Sequence, residues 1–124
     1  MVLDASALLA LLHGEAGTDV VEQVLPTAII SSVNWSEVAQ KMLQHNRPVA
    51  AFRADLVELG LEIVPFEIED AETAAEMYER TSSSGLSLGD RACLSLAWRF
   101  GVPALTGDRR WVDISTGVEV RLIG

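Results

Sequence analysis

The chain alternates short apolar runs with longer segments whose apolar residues recur every three or four positions. Residues 1–3 are a brief apolar run stopped by Asp4. Residues 5–12 carry a helical pattern closed by His13-Gly14, where the glycine suits a helix C-terminus. Residues 18–25 predict a second helix that Pro26 stops. Residues 27–31 are β-branched and apolar, the mark of a buried strand. A third helix is predicted over 34–44, with Trp35, Val38, Ala39 and Met42 on one stripe. A fourth spans 48–59 with Gly60 at its end, and a strand follows at 61–66. Residues 70–80 predict a fifth helix, with Ala71, Ala74, Ala75 and Tyr78 sharing a face. A serine-rich loop at 81–85 leads to a sixth helix over 87–100, ended by Gly101. That helix is apolar on most sides from Ala92 to Trp98, so it is expected to lie deep. Strands are predicted at 103–106 and 118–123. Strands separated by helices imply an α/β fold, a parallel sheet covered on both faces. In such sheets ligands bind beyond the carboxyl ends of the strands.

The 124 residues are read as one domain, 1–124. Apolar residues make up 49% and charged residues 22%, a globular mix that argues against disorder. The early apolar run at 7–12 is far short of the roughly 20 residues a membrane span needs. No basic start precedes an apolar stretch, so no secretory leader is expected. A single cysteine, Cys93, leaves no internal disulfide and fits a reducing, cytoplasmic setting. Eighteen acids against nine Lys and Arg give a net charge of −9, which argues against a broad basic face gripping nucleic acid.

Four acids sit where the sheet rule points. Asp4 ends the first strand, and Asp108 follows the strand end at Leu105-Thr106 by two residues. Glu37 lies in the opening turns of the helix after the second strand, and Asp90 in the first turn of the sixth helix. Each also has a plain capping reading: Asp4 ahead of Ala5, Asp108 ahead of a turn through Trp111, and capping boxes in Asn34-Trp35-Ser36-Glu37 and Ser87-Leu88-Gly89-Asp90. Against that, Asp90 shares a face with apolar Leu94 and Ala97 rather than with Arg91, Ser95 and Arg99. Carboxylates about 4 Å apart repel by roughly 4 kcal/mol at an effective dielectric near 20. Proton uptake or a divalent cation relieves that repulsion, and an all-oxygen donor set suits Mg²⁺ or Mn²⁺. Zinc fits poorly, because His13 and His45 stand at helix ends and Cys93 is alone. Ser6 and Thr106 carry hydroxyls able to hold a water or orient a ligand carboxylate, alongside their ordinary turn and strand roles. A cation so held polarises a phosphoryl oxygen and activates water for in-line attack.

Four segments carry a family resemblance: Val2-Leu3-Asp4-Ala5-Ser6, Ser36-Glu37-Val38, Leu86-Ser87-Leu88-Gly89-Asp90-Arg91-Ala92 and Leu105-Thr106-Gly107-Asp108-Arg109-Arg110-Trp111. Together they resemble the PIN-domain ribonucleases, specifically the VapC-type toxins of toxin–antitoxin pairs. The resemblance implies a three-layer α/β/α sandwich and a Mg²⁺- or Mn²⁺-dependent endoribonuclease. It implies that Asp4, Glu37, Asp90 and Asp108 are catalytic and bind metal, Asp4 and Asp90 most firmly. It also implies an RNA substrate, a homodimer and a cognate antitoxin offering Arg or Lys to the acidic pocket. An acidic toxin suits a basic antitoxin tail. Arg91, Arg109 and Arg110 border the expected site and are candidates for RNA phosphate contacts, or for balancing neighbouring acids. Trp35 and Trp98 fit core stripes, whereas Trp111 is left open as a base-stacking platform. Asp113 is an additional acid of open role.

Two alternatives compete. A haloacid-dehalogenase-like phosphatase also places an Asp after its first strand, but it calls for a second Asp where this chain has Ser6, and for a lysine where Lys41 alone is present. A non-catalytic PIN-like binding module would use the same acids as helix caps.

Overall fold

The period-two alternation of the apolar runs sends neighbouring residues to opposite sides of one sheet. The computed structural model describes residues 1–124. Its strands are β1 (Val2–Leu3), β2 (Ile29–Ser31), β3 (Glu62–Val64), β4 (Ala104–Thr106) and β5 (Val120–Leu122). All pair in parallel, in the order β3-β2-β1-β4-β5. The helices are α1 (Ala5–His13), α2 (Thr18–Val24), α3 (Ser32–Gln44), α4 (Val49–Glu58), α5 (Ile68–Glu76), α6 (Tyr78–Thr81) and α7 (Leu88–Phe100). Leu3, Ile30 and Leu105 point into one core with residues of α1 to α4. Val2 and Ala104 point the other way, into a second core with α7 and Met77. The expected sandwich around a parallel sheet is therefore the observed one.

The topology fixes where a ligand can sit. The chain grows from β1 out to β3 on one side, then crosses to β4 and β5 on the other. The order reverses beside β1, and a crevice opens at such a switch point beyond the strand carboxyl ends. Asp4 is the first residue past β1, and Thr106 is the last of β4.

Several boundaries differ from the sequence expectation, each for a local reason. The third helix begins at Ser32 rather than Asn34, because the Ser31 hydroxyl accepts from Val33 N–H at 3.2 Å and serves as its cap. Asn34 is thus inside the helix and not its cap. The fifth helix starts at Ile68, with Asp70 accepting from Glu67 N–H at 3.0 Å. It divides at Met77, where side chains compete for the backbone carbonyls: Arg91 donates to Ala74 O and the Thr81 hydroxyl to Met77 O. The sixth predicted helix is α7, buried from Ala92 to Ala97 as expected. Trp98 departs from that expectation, since it emerges from the packed stretch and is 56% exposed beside Gly117.

One ion pair joins α5 to α7, between a buried carboxylate and a partly exposed guanidinium. Asp70 is 1% exposed and accepts from Arg99 Nε at 2.8 Å and Nη2 at 3.0 Å. Removing the cation strands a buried charge. Arg99→Met is expected to lower stability by about 3 kcal/mol, read by urea unfolding. The double variant Arg99→Met, Asp70→Asn should recover part of that loss.

Candidate active site

Asp4 occupies the position of an N-cap for α1, with extended backbone, yet its side chain makes no cap hydrogen bond. Its Oδ2 instead accepts from the Ser6 hydroxyl at 2.8 Å and the Thr106 hydroxyl at 3.0 Å. The side chain lies in the crevice between β1 and β4, where the residue is 6% exposed. Burial raises its pKa to about 6 from 3.8; the two hydroxyls oppose that rise, and the charges of Asp90 and Glu37 add to it. Asp4 Oδ1 takes no hydrogen bond from the protein. The capping reading of Asp4 is thereby set aside.

Glu37 and Asp90 act on Asp4 through their charges. Glu37, on α3, accepts at Oε1 from Asn34 Nδ2 at 2.9 Å, and its carboxylate rests against Gly89. Asp90 keeps the expected capping box: its Oδ2 accepts from Ser87 N–H at 2.9 Å, and its own N–H donates to the Ser87 hydroxyl at 3.2 Å. Asp90 Oδ1 remains free of protein donors. Below them lies fully buried Cys93, whose thiol is pushed well up by burial and then by the charges of Asp4, Asp90 and Glu37. The charges of all three acids thus reach the same buried thiol.

Asp108 stands differently. It caps the turn Arg109–Asp113, accepting from Arg110 N–H at 3.0 Å. The Arg110 guanidinium clasps its carboxylate, with Nη2 to Oδ2 at 2.6 Å, and holds its pKa below the usual range. Nη1 of the same guanidinium donates to Ser84 O and Gly85 O, tying this turn to the loop before α7. Asp108 also reaches Asp4 through Thr106, whose hydroxyl oxygen accepts from Asp108 N–H at 3.0 Å. Asp113 is exposed at the end of the turn and hydrogen-bonds none of the other acids.

The basic and aromatic candidates divide. Arg91 donates to Ala74 O at 2.8 Å and lies 5.2 Å from the Tyr78 ring centre. It is engaged by α5 and α6, a correction to its expected place at the phosphate. Arg109 is exposed, with a long 3.4 Å contact to Gly124 O. Trp111 is 1% exposed in the second core, so it is no stacking platform. Trp35 is half-buried and stacks on Phe52. Asn34 was missed as a site residue, because as an expected cap it gave no sign of facing another helix.

The donor chemistry fits a hard divalent cation: carboxylate oxygens only, three of them unpartnered, around a site where negative charge is already unfavourable. No three His, Cys, Asp or Glu side chains enclose an ion unaided. The four acids expected to bind metal thus do not close around one ion together, and Mg²⁺, which keeps several waters, calls for only one or two carboxylates. A cavity of about 410 Å³, lined in part by Ser6, Glu15, Gly107 and Asp108, opens beside it.

An acidic crevice at the switch point of a parallel α/β sheet defines the class, and the comparisons agree with it. The chain belongs to the PIN-domain family, whose profile matches residues 1–116. It is 30% identical over 115 residues to ribonuclease VapC42 of Mycobacterium tuberculosis, covering 85% of this chain and 88% of that protein. Among solved structures it resembles a toxin–antitoxin complex from Klebsiella pneumoniae, with TM-score 0.80, 19% identity, and 99% and 97% of the two chains covered. It also resembles the DNA-bound VapBC of Salmonella typhimurium, with TM-score 0.78, 15% identity, and again 99% and 97% coverage. No helix is long and apolar enough to cross a membrane.

The Asp4 shift has a defined pH signature. Below pH 3.8 both the folded and unfolded chains carry the proton; between 3.8 and about 6 only the folded chain keeps it, so stability falls as pH rises. Above that window the cost is complete, on the order of 3 kcal/mol. Asp4→Asn in EDTA is therefore expected to melt higher than the parent at pH 7, with the difference shrinking towards pH 4. Calorimetry at both pH values checks this, and an equal gain at both would count against the buried charge.

Proposed function

We propose that the chain is a Mg²⁺- or Mn²⁺-dependent endoribonuclease, the toxin of a toxin–antitoxin pair. The observation that carries this reading is Asp4: a buried carboxylate at the sheet's carboxyl edge that makes no helix-cap hydrogen bond and feels the charges of Asp90 and Glu37. The relatedness to VapC42 and the likeness to toxin–antitoxin complexes support it. Asp4 and Asp90 would hold the cation, each through its unpartnered Oδ1, with Glu37 beside them and Asp108 at the rim. When bound, the cation supplies positive charge to the phosphodiester and eases deprotonation of water.

The chain's own groups do the rest. Ser6 and Thr106 fix the orientation of Asp4 by donating to Oδ2 alone. Glu37 Oε2 takes no hydrogen bond and is the oxygen free to accept a proton from the attacking water. Arg109 offers its guanidinium to RNA phosphates at the rim, and Arg110 would have to leave Asp108 to do the same. Ser6 stands where a phosphatase of the competing class needs its second carboxylate, so that alternative gains nothing from the geometry. The net charge of −9 favours an antitoxin with a basic tail, and the toxin is expected to act as a homodimer.

RNA is expected to be cut by the chain with Mn²⁺ and spared with EDTA. Asp90→Asn should cut at least 100-fold more slowly, the scale on which one missing electrostatic partner acts. Mn²⁺ should also raise the parent's melting temperature, as binding to the native state must, and Asp4→Asn with Asp90→Asn should lose that rise. A parent that spares RNA under both conditions would sink the nuclease reading.

A further inference from the structure

We propose that Gly89 and Asn34 together form the seat of the Glu37 carboxylate and are positioning residues for the hydrolysis; the inference rests on the nuclease reading above. Gly89 lies in the first turn of α7, immediately before Asp90. Six other glycines have positive φ, but Gly89 does not, so its backbone is open to any residue. Glycine is also a poor helix former. The reason for it is space. A Cβ there would stand 2.5 Å from Glu37 Oε2 and 2.7 Å from both Cδ and Oε1. The obstacle is the mobile end of a long side chain rather than backbone. Alanine would therefore leave the fold in place and move the carboxylate.

Asn34 holds the other side. It is fully buried, and its Nδ2 donates to Glu37 Oε1 and to Gly89 O, both at 2.9 Å. Two acceptors on one nitrogen fix the amide's orientation. Its Oδ1 is left buried with no partner, an unfavourable arrangement that stability of the fold does not explain. One amide thus fastens α3 to α7 and aims Glu37 at the same time. The missing Gly89 side chain leaves the carboxylate room beside Asp90.

The test is a double-mutant cycle on the full chain. Gly89→Ala is expected to melt at or above the parent's temperature, yet to lower kcat on RNA by about 10- to 100-fold with KM little changed, and to weaken Mn²⁺ binding in calorimetry by about 10-fold. In a Glu37→Gln background, Gly89→Ala should change neither quantity further. Asn34→Ala should lower kcat similarly, melt lower than the parent, and be equally silent on kcat in the Glu37→Gln background. A parent-like rate for Gly89→Ala, a lowered melting temperature for it, or additive losses in that background would overturn the seat. If the parent binds Mn²⁺ but spares RNA, the nuclease reading fails while the Mn²⁺ cycle still decides the seat. If it binds no Mn²⁺, both fail.

Discussion

The carboxylate of Asp4, buried at the end of the central strand, is the constraint around which the site is organised. Its position follows from the sheet: β1 is flanked by β2 and β4, and its carboxyl end opens where the strand order reverses. Burial there makes its charge unfavourable, and two hydroxyls only partly offset the cost. Glu37 and Asp90 deepen the problem rather than relieve it. A fold built for stability alone would place a cation or an apolar residue at this point. The chain instead keeps the charge, which is the signature of a pocket that acts on something outside itself.

The acids divide between those used by the backbone and those left free. Asp90 and Asp108 both serve the start of their helical turns; Asp90 keeps one oxygen free of protein donors, whereas Arg110 takes both oxygens of Asp108. For Asp90 capping leaves an oxygen to spare, since a carboxylate has two oxygens and a cap needs only one. Arg110 adds a second use for Asp108, because the same guanidinium reaches the loop at Ser84 and Gly85. That turn and the approach to α7 are thus held together at the rim of the pocket.

Two helices from different cores meet over the site. Residues of α3 pack in one core and residues of α7 in the other, yet Asn34 on α3 bonds the first turn of α7 directly. This link brings Glu37 against Gly89, the residue before Asp90, across more than fifty residues of sequence. The acidic pocket thus depends on a neutral amide and a glycine as much as on its carboxylates.

The order of strands and helices, the parallel sheet and the placing of acids at strand ends were legible in the residues themselves. Apolar periodicity reports which face of an element is buried, and a short strand followed by an Asp puts that Asp at the sheet edge. Periodicity is local, however, and does not say what a buried face meets. Hence Trp98, expected in a core stripe, is exposed, Trp111, left open, is buried, and Arg91 turned to Ala74 and Tyr78 instead of the crevice. For the same reason Asn34 read as a cap, although its partner is the Gly89 carbonyl on another helix. The sequence by itself determined the elements and the negative charge they carry. Only packing decided which carboxylates share a pocket, because that depends on how helices distant along the chain settle against the two faces of one sheet.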